Sequence, residues 1–190
     1  MSVYTYEDLS VGKIGYVEKT ITESDVNAYT GLTGDFNWLH VDEIRAKQGR
    51  FKARIVHGMF LAGLISNVVG NLMPGPGTCY VNQNMKFLKP CYINDTIKAQ
   101  AEVVEKLPRG RVKIKTTCYN QHGDILLDGD AIVIPPKSEQ AAKRGRGRGL
   151  WRTSRKSGCP VRSESCGGRR KKTYLSPAAE TFKHFILTNK

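Results

Sequence analysis

One apolar segment and the residues that follow it restrict this chain more than any other feature. Phe60, Leu61, Leu64, Ile65, Val68, Val69, Leu72 and Met73 recur at three- and four-residue spacing. That is the period of a helix buried on a broad face. The helix is expected to begin near His57 and to end at Pro74-Gly75-Pro76-Gly77. Ala62, Gly63 and Gly70 would let a sheet approach closely. Gly70 also weakens the helix, by about 1 kcal/mol relative to Ala, so tertiary packing must hold it. Four β-rich runs follow: Cys79 to Leu88, Thr96 to Glu105, Arg111 to Asn120 and Ile125 to Ile134. Turn chemistry separates them at Lys89-Pro90, Asn94-Asp95, Pro108-Arg109-Gly110 and His122-Gly123-Asp124. Long strands with short connections predict an antiparallel meander. One apolar helix ahead of such a run predicts an α+β domain whose sheet wraps the helix.

The residues before this helix are less regular. Val11 to Thr22 reads as a strand, and Thr22-Glu23-Ser24-Asp25 resembles a capping box opening a short helix through Tyr29. Gly31 and Gly34 are expected to break it, leaving residues 33 to 40 as a loop. Val41 to Lys47 forms a further short helix in this reading, with Asp42 and Glu43 in its first turn.

Charge divides the chain. The net charge of +13 points at first to a nucleic acid or an acidic membrane. Residues 1 to 136, however, carry 15 Lys and Arg against 14 Asp and Glu, whereas residues 137 to 190 carry 15 against 3. The folded domain is therefore assigned to residues 1–136. Residues 137–190 are assigned to a basic, low-complexity tail expected to be disordered, because low hydrophobicity and high charge cannot support a core. Arg144 to Gly149 and Arg169-Arg170-Lys171-Lys172 suit weak polyanion or nucleic-acid binding. The sparse aromatics of the tail favour a solvated extension instead.

Several chemistries are excluded. There is no phosphate-binding P-loop and no G-x-S-x-G elbow. His40, His57, His122 and His184 have no metal-ligand spacing with one another or with the five cysteines, so no metal is expected. The odd cysteine count, without a C-x-x-C pair or a secretory leader, predicts reduced thiols and a cytoplasmic location. The most apolar stretch is too short and too polar to span a bilayer, so no membrane partner is expected.

What remains is Asp35, five residues before His40, and then Ile55-Val56-His57-Gly58-Met59 at the head of the apolar helix. Alone, the first pair reads as an Asp that turns a loop and a His half-buried with its polar atoms satisfied. Together with Tyr29-Thr-Gly-Leu-Thr-Gly-Asp-Phe-Asn-Trp-Leu-His40, Ala46, Ser66 and Lys86-Phe87-Leu88-Lys89-Pro90, the pattern closely resembles the MaoC-like (R)-specific enoyl-CoA hydratases. The resemblance runs from about Ser10 to Pro136. It implies a hot-dog fold, a long central helix wrapped by an antiparallel sheet, and a homodimer with active sites near the subunit interface.

The resemblance implies addition of water to an enoyl-CoA thioester, giving (R)-3-hydroxyacyl-CoA, with no cofactor because CoA belongs to the substrate. His40 has the intrinsic pKa, roughly 6.5, to take a proton from water. Asp35 would deliver a proton, which requires an apolar pocket that keeps it protonated. The backbone N–H of Gly58, at the first turn of a helix, has no intrahelical partner and would form an oxyanion hole. Close packing is the alternative reason for a glycine there. Ser66 would orient His40 or serve the core, and Asn37 would fix the loop or the water. Trp38 stands where the family usually has Pro; it either packs to stiffen the loop, the favoured reading, or narrows the acyl pocket. The alternative activity is a thioesterase, in which the same pair directs water at the carbonyl carbon.

Overall fold

A computed structural model describes residues 3–137, and the tail expectation lies outside them. The elements are β1 (Ile14–Thr20), α1 (Glu23–Thr33), α2 (Trp38–Val41), α3 (Glu43–Gln48), α4 (Gly58–Asn67), β2 (Cys79–Phe87), β3 (Thr96–Leu107), β4 (Arg111–Tyr119) and β5 (Ile125–Ile134).

The capping box forms as expected. Thr22 Oγ1 accepts the Asp25 N–H at 3.2 Å, and Asp25 Oδ2 accepts the Thr22 N–H at 2.9 Å. The helix it starts does not stop at Tyr29. It runs through Gly31 because Val26 and Thr30 are buried beneath it, and ends where Gly34, at φ 74°, turns left-handed and donates its N–H to Thr30. Packing thus overrides the single glycine. The 33–40 stretch also holds more structure than a loop, since its last three residues open α2.

The apolar helix starts one residue after His57, and its second half departs from the expected form. Val68–Leu72 is a π-helical turn, closed by Met73 N–H to Val68 O at 2.9 Å. Five residues separate Val68 and Met73, a spacing that places them on different faces of an α-helix. The wider turn brings both into the core, where each is at most 2% exposed. Gly63 and Gly70 do not carry the close approach to the sheet, since a Cβ at either would meet nothing within 4 Å. That approach occurs at Gly15 on β1, where a Cβ would lie 2.6 Å from Met73 Cβ.

All five strands are antiparallel, in the order β1-β3-β4-β5-β2. The meander holds for β3, β4 and β5 but not for β2, which pairs with β5 at the opposite edge. The cause is the connection at residues 88–95. It crosses the head of α4 instead of turning back, tied by Val56 N–H to Cys91 O at 2.8 Å and by the bridge between Ile55 and Tyr92. Inward residues alternate along β3 (Ile97, Ala99, Ala101, Val103) and β4 (Val112, Ile114, Thr116, Cys118), all fully buried. They pack with Leu61, Ile65 and Val68 in one core. This is the helix-in-sheet arrangement of the hot dog. No helix among the described residues is long and apolar enough to cross a membrane.

Candidate active site

The crossing segment matters because it fixes the head of α4 beside the loop that follows α1. Asp35 Oδ1 accepts the Asn37 N–H at 3.2 Å, and Asn37 Oδ1 accepts the Leu39 N–H at 3.2 Å. Two successive short side chains therefore turn the loop and cap α2, the turn that carries His40. Asn37 is placed as a loop-fixing residue.

His40 is 8% exposed, and its Nδ1 lies 2.7 Å from the Ile55 carbonyl. A carbonyl only accepts, so Nδ1 carries the proton and Nε2 keeps a lone pair. Ile55 N–H donates back to Leu39 O at 3.1 Å, so two bonds tie α2 to the strand-like entry to α4.

His57 caps α4, is 2% exposed and stacks on His40 with ring centroids 3.7 Å apart. Its Nε2 lies 3.2 Å from the Asp35 carbonyl, 3.5 Å from Thr30 Oγ1 and 3.9 Å from Asp35 Oδ2. By the same logic Nε2 carries the proton here. Burial holds its pKa below the ordinary 6.5; the Asp35 carbonyl opposes that shift, and the neighbouring His40 reinforces it. No spacing in the sequence links His57 to His40. The only signal of His57 in the sequence was membership of the Ile55–Met59 run.

Asp35, His40 and His57 bring one potential ligand atom each within 4.8 Å of one another, a cluster that the sequence spacing did not reveal. The donor chemistry does not suit a metal. His57 turns an N–H toward the Asp35 carbonyl, and a metal ligand needs a bare lone pair there. That leaves one imidazole nitrogen and one carboxylate.

Gly58 opens α4 and shares with His40 the wall of a cavity of about 450 Å³. Phe51, Val56, Leu61 and Phe87 make much of that wall apolar, while Arg50 and Lys89 add positive charge. A Cβ at Gly58 would lie 2.9 Å from the half-exposed Phe87 ring, so any side chain there must push that ring aside, in addition to any use of the free N–H. Ser66 is not part of this group. It is exposed in the single chain and faces a separate groove with Ala62, Tyr80 and Gln83, while the Ile55 carbonyl is the group that holds the His40 ring. Ser66 lies eight residues beyond Gly58, on a different part of the helix surface from its N-terminal end. Trp38 stays out of the cavity wall; its ring packs where a Cβ on Gly49 would come within 3.1 Å, and Arg45 lies over it at 4.9 Å.

Asp35 differs from its expected setting. Its side chain is 52% exposed in the single chain, so the apolar cover that proton delivery requires is not supplied by this chain's own residues.

A family model described as "MaoC like domain" matches residues 12–123. A 3-hydroxybutyryl-CoA dehydratase of Methylorubrum extorquens is 40% identical over 142 residues, spanning 74% of this chain and 90% of that protein. An (R)-specific enoyl-CoA hydratase of Rhodospirillum rubrum is 42% identical over 135 residues, spanning 70% and 93%. Among solved structures, the unliganded R-hydratase PhaJ1 of Pseudomonas aeruginosa superposes with a TM-score of 0.69 at 37% identity, covering 71% of this chain and 87% of that one. An (R)-hydratase of A. caviae involved in PHA biosynthesis gives 0.66 at 33%, covering 68% and 99%. The matched sequence contains the Asp35 loop, the His40 turn and the head of α4, and the fold agrees around them: the chain belongs to the MaoC-like domain family.

Proposed function

We propose that this chain is an (R)-specific enoyl-CoA hydratase. It adds water reversibly to short- to medium-chain trans-2-enoyl-CoA and gives (R)-3-hydroxyacyl-CoA. The observation that carries this reading is one cavity wall shared by His40, whose Nδ1 is engaged by the Ile55 carbonyl, and Gly58, the residue that opens α4. Water held by His40 loses a proton to Nε2 as its oxygen bonds to the β-carbon. Electron density shifts through the conjugated system to the thioester oxygen, where the Gly58 amide stabilises it. Asp35 then gives a proton to the α-carbon from the same side. The proton left on His40 returns to Asp35 through water, which resets the pair.

No cofactor beyond the substrate's own CoA enters these steps. The apolar cover for Asp35 is assigned to a second copy of the chain. The supporting observation is β2, an edge strand exposed along most of its length, with Tyr80 and Val81 bare. Light scattering of the purified protein reads this directly, and a monomer at working concentration would remove the homodimer. The unpaired thiols of Cys79, Cys91 and Cys118 support a reducing, cytoplasmic setting.

Crotonyl-CoA separates hydration from the thioesterase alternative. Hydration bleaches the enoyl absorbance without releasing free thiol, whereas thiol release at the rate of bleaching would make the chain a thioesterase. A panel of enoyl-CoA lengths then defines the acyl range.

A further inference from the structure

His57 touches every part of the proposed machinery and has no step in it. Its ring covers His40, its Nε2–H points at the backbone of Asp35, and its own peptide leads into Gly58. Tyr29 also packs on it, tilted at 50° and 4.9 Å between centroids, which limits the freedom of the ring to turn. One feature of this packing works against stability. His57 Nδ1 is buried with no hydrogen-bond partner among the described residues. Buried polar atoms are nearly always satisfied, and an apolar ring would avoid the penalty. The imidazole is therefore explained by what its other nitrogen does.

We propose that His57 is a positioning residue of the hydration reaction, a neutral imidazole whose Nε2–H anchors the Asp35 loop while its ring sets the plane of His40. Asp35 approaches the site from the α1–α2 loop and His40 from the α2 turn, while the oxyanion donor comes from α4. The two bonds between α2 and Ile55 hold His40 in place, but neither reaches the Asp35 backbone. The 3.2 Å contact from His57 to the Asp35 carbonyl does, across 22 residues of sequence. The neutral form is essential to this role. A protonated His57 would need a partner for its Nδ1–H that the structure does not supply, and it would place a cation against the base as that base takes up its own proton.

The inference rests on the hydratase reading, and the test keeps the two apart. His57→Phe preserves a flat ring against His40 and removes the donor. His57→Gln restores an N–H at nearly the same reach. With crotonyl-CoA, His57→Phe is expected to lower kcat by about 10- to 100-fold with KM changed less than about twofold, the signature of misplaced groups rather than lost binding. Its melting temperature should stay close to that of the unaltered protein, because the orphan Nδ1 is lost together with the anchoring bond. His57→Gln should recover most of the lost kcat. In the unaltered protein, long-range ¹H–¹⁵N spectra near neutral pH should show His57 as the Nε2–H tautomer, a readout that needs no variant to fold. Full kcat in His57→Phe would overturn the proposal, as would equal losses in both variants or an Nδ1–H or doubly protonated ring. If the unaltered protein fails to hydrate crotonyl-CoA, the hydratase reading falls instead.

Discussion

The α2 turn and the head of α4 each present an imidazole to the same site, and the two rings are prepared for opposite tasks. On α2, the Ile55 carbonyl takes the proton of His40 Nδ1 and leaves Nε2 as a base. At α4, the Asp35 carbonyl takes the proton of His57 Nε2 and leaves an unused lone pair in the interior. The rings are stacked 3.7 Å apart and both are buried, so neither composition nor burial distinguishes them. The backbone carbonyl that each ring meets decides which one can accept a proton, and carbonyl placement is a property of the packed chain.

Breaking the reactive half of this comparison has the largest expected effect. His40→Ala should lower kcat for crotonyl-CoA hydration by roughly 10²–10⁴, the usual span for a lost general base. Asp35→Asn should fall in the same span, and near-normal rates in both variants would remove the pair as catalyst. Gly58→Ala comes next: it keeps the amide N–H but sets a methyl beside it, and should cost up to about 10²–10³ if that methyl keeps the thioester oxygen off the donor. Its methyl must also displace the Phe87 ring, so the same variant should be made with Phe87→Ala. A rate deficit that persists once the clash is relieved comes from the methyl holding the thioester oxygen off the amide; full recovery would leave only packing.

Smaller effects sharpen the two anchors. Asn37→Ala removes the cap of the His40 turn and should cost about 1 kcal/mol of stability. Chemical denaturation measures the loss, and kcat should drop several-fold as α2 loosens. On the α4 side, burial depresses the pKa of His57 below its ordinary 6.5. Between those two values the unfolded chain binds the proton more readily than the folded one. Stability from this residue is thus complete above about pH 6.5 and declines as pH falls toward the folded pKa. Melting temperatures across this range should show that decline, and His57→Phe should flatten it. Trp38→Pro should change least. Position 38 opens α2, where Pro is well tolerated, and the indole is not part of the cavity wall. The ratio of rates on short and long enoyl-CoAs should hold within about twofold, since pocket contacts set that ratio. A clear shift would return Trp38 to the acyl site.

Much of the fold was legible because it rests on local chemistry. Thr22 and Asp25 cap α1 through bonds spanning three residues, and β5 occupies the run read from Ile125 to Ile134. The apolar period located α4, although not the π-helical turn that lets Val68 and Met73 share the core. The misplaced element is β2, whose own residues announce a strand but not its neighbour. The residues after it cross the head of α4, and that path depends on bonds to Val56 and Ile55 far upstream. The site divides in the same way. Asp35, His40 and Gly58 stand in linked motifs; the fold sets Asp35 near His40, and His40 with Gly58 on the cavity wall, while Ser66 faces a different groove.

The sequence by itself determined the helix followed by strands, the family, and a loop built to turn at Asp35 and Asn37. These follow from periodicity, capping and short-range hydrogen bonds, all of which act within a few residues. Tertiary structure alone decided that His57 lies flat on His40, that each ring holds its proton on a different nitrogen, and that Asp35 is left half-exposed in a single chain. The two proton placements depend on groups 15 and 22 residues apart meeting at hydrogen-bond distance, and no local preference of the chain encodes such a meeting.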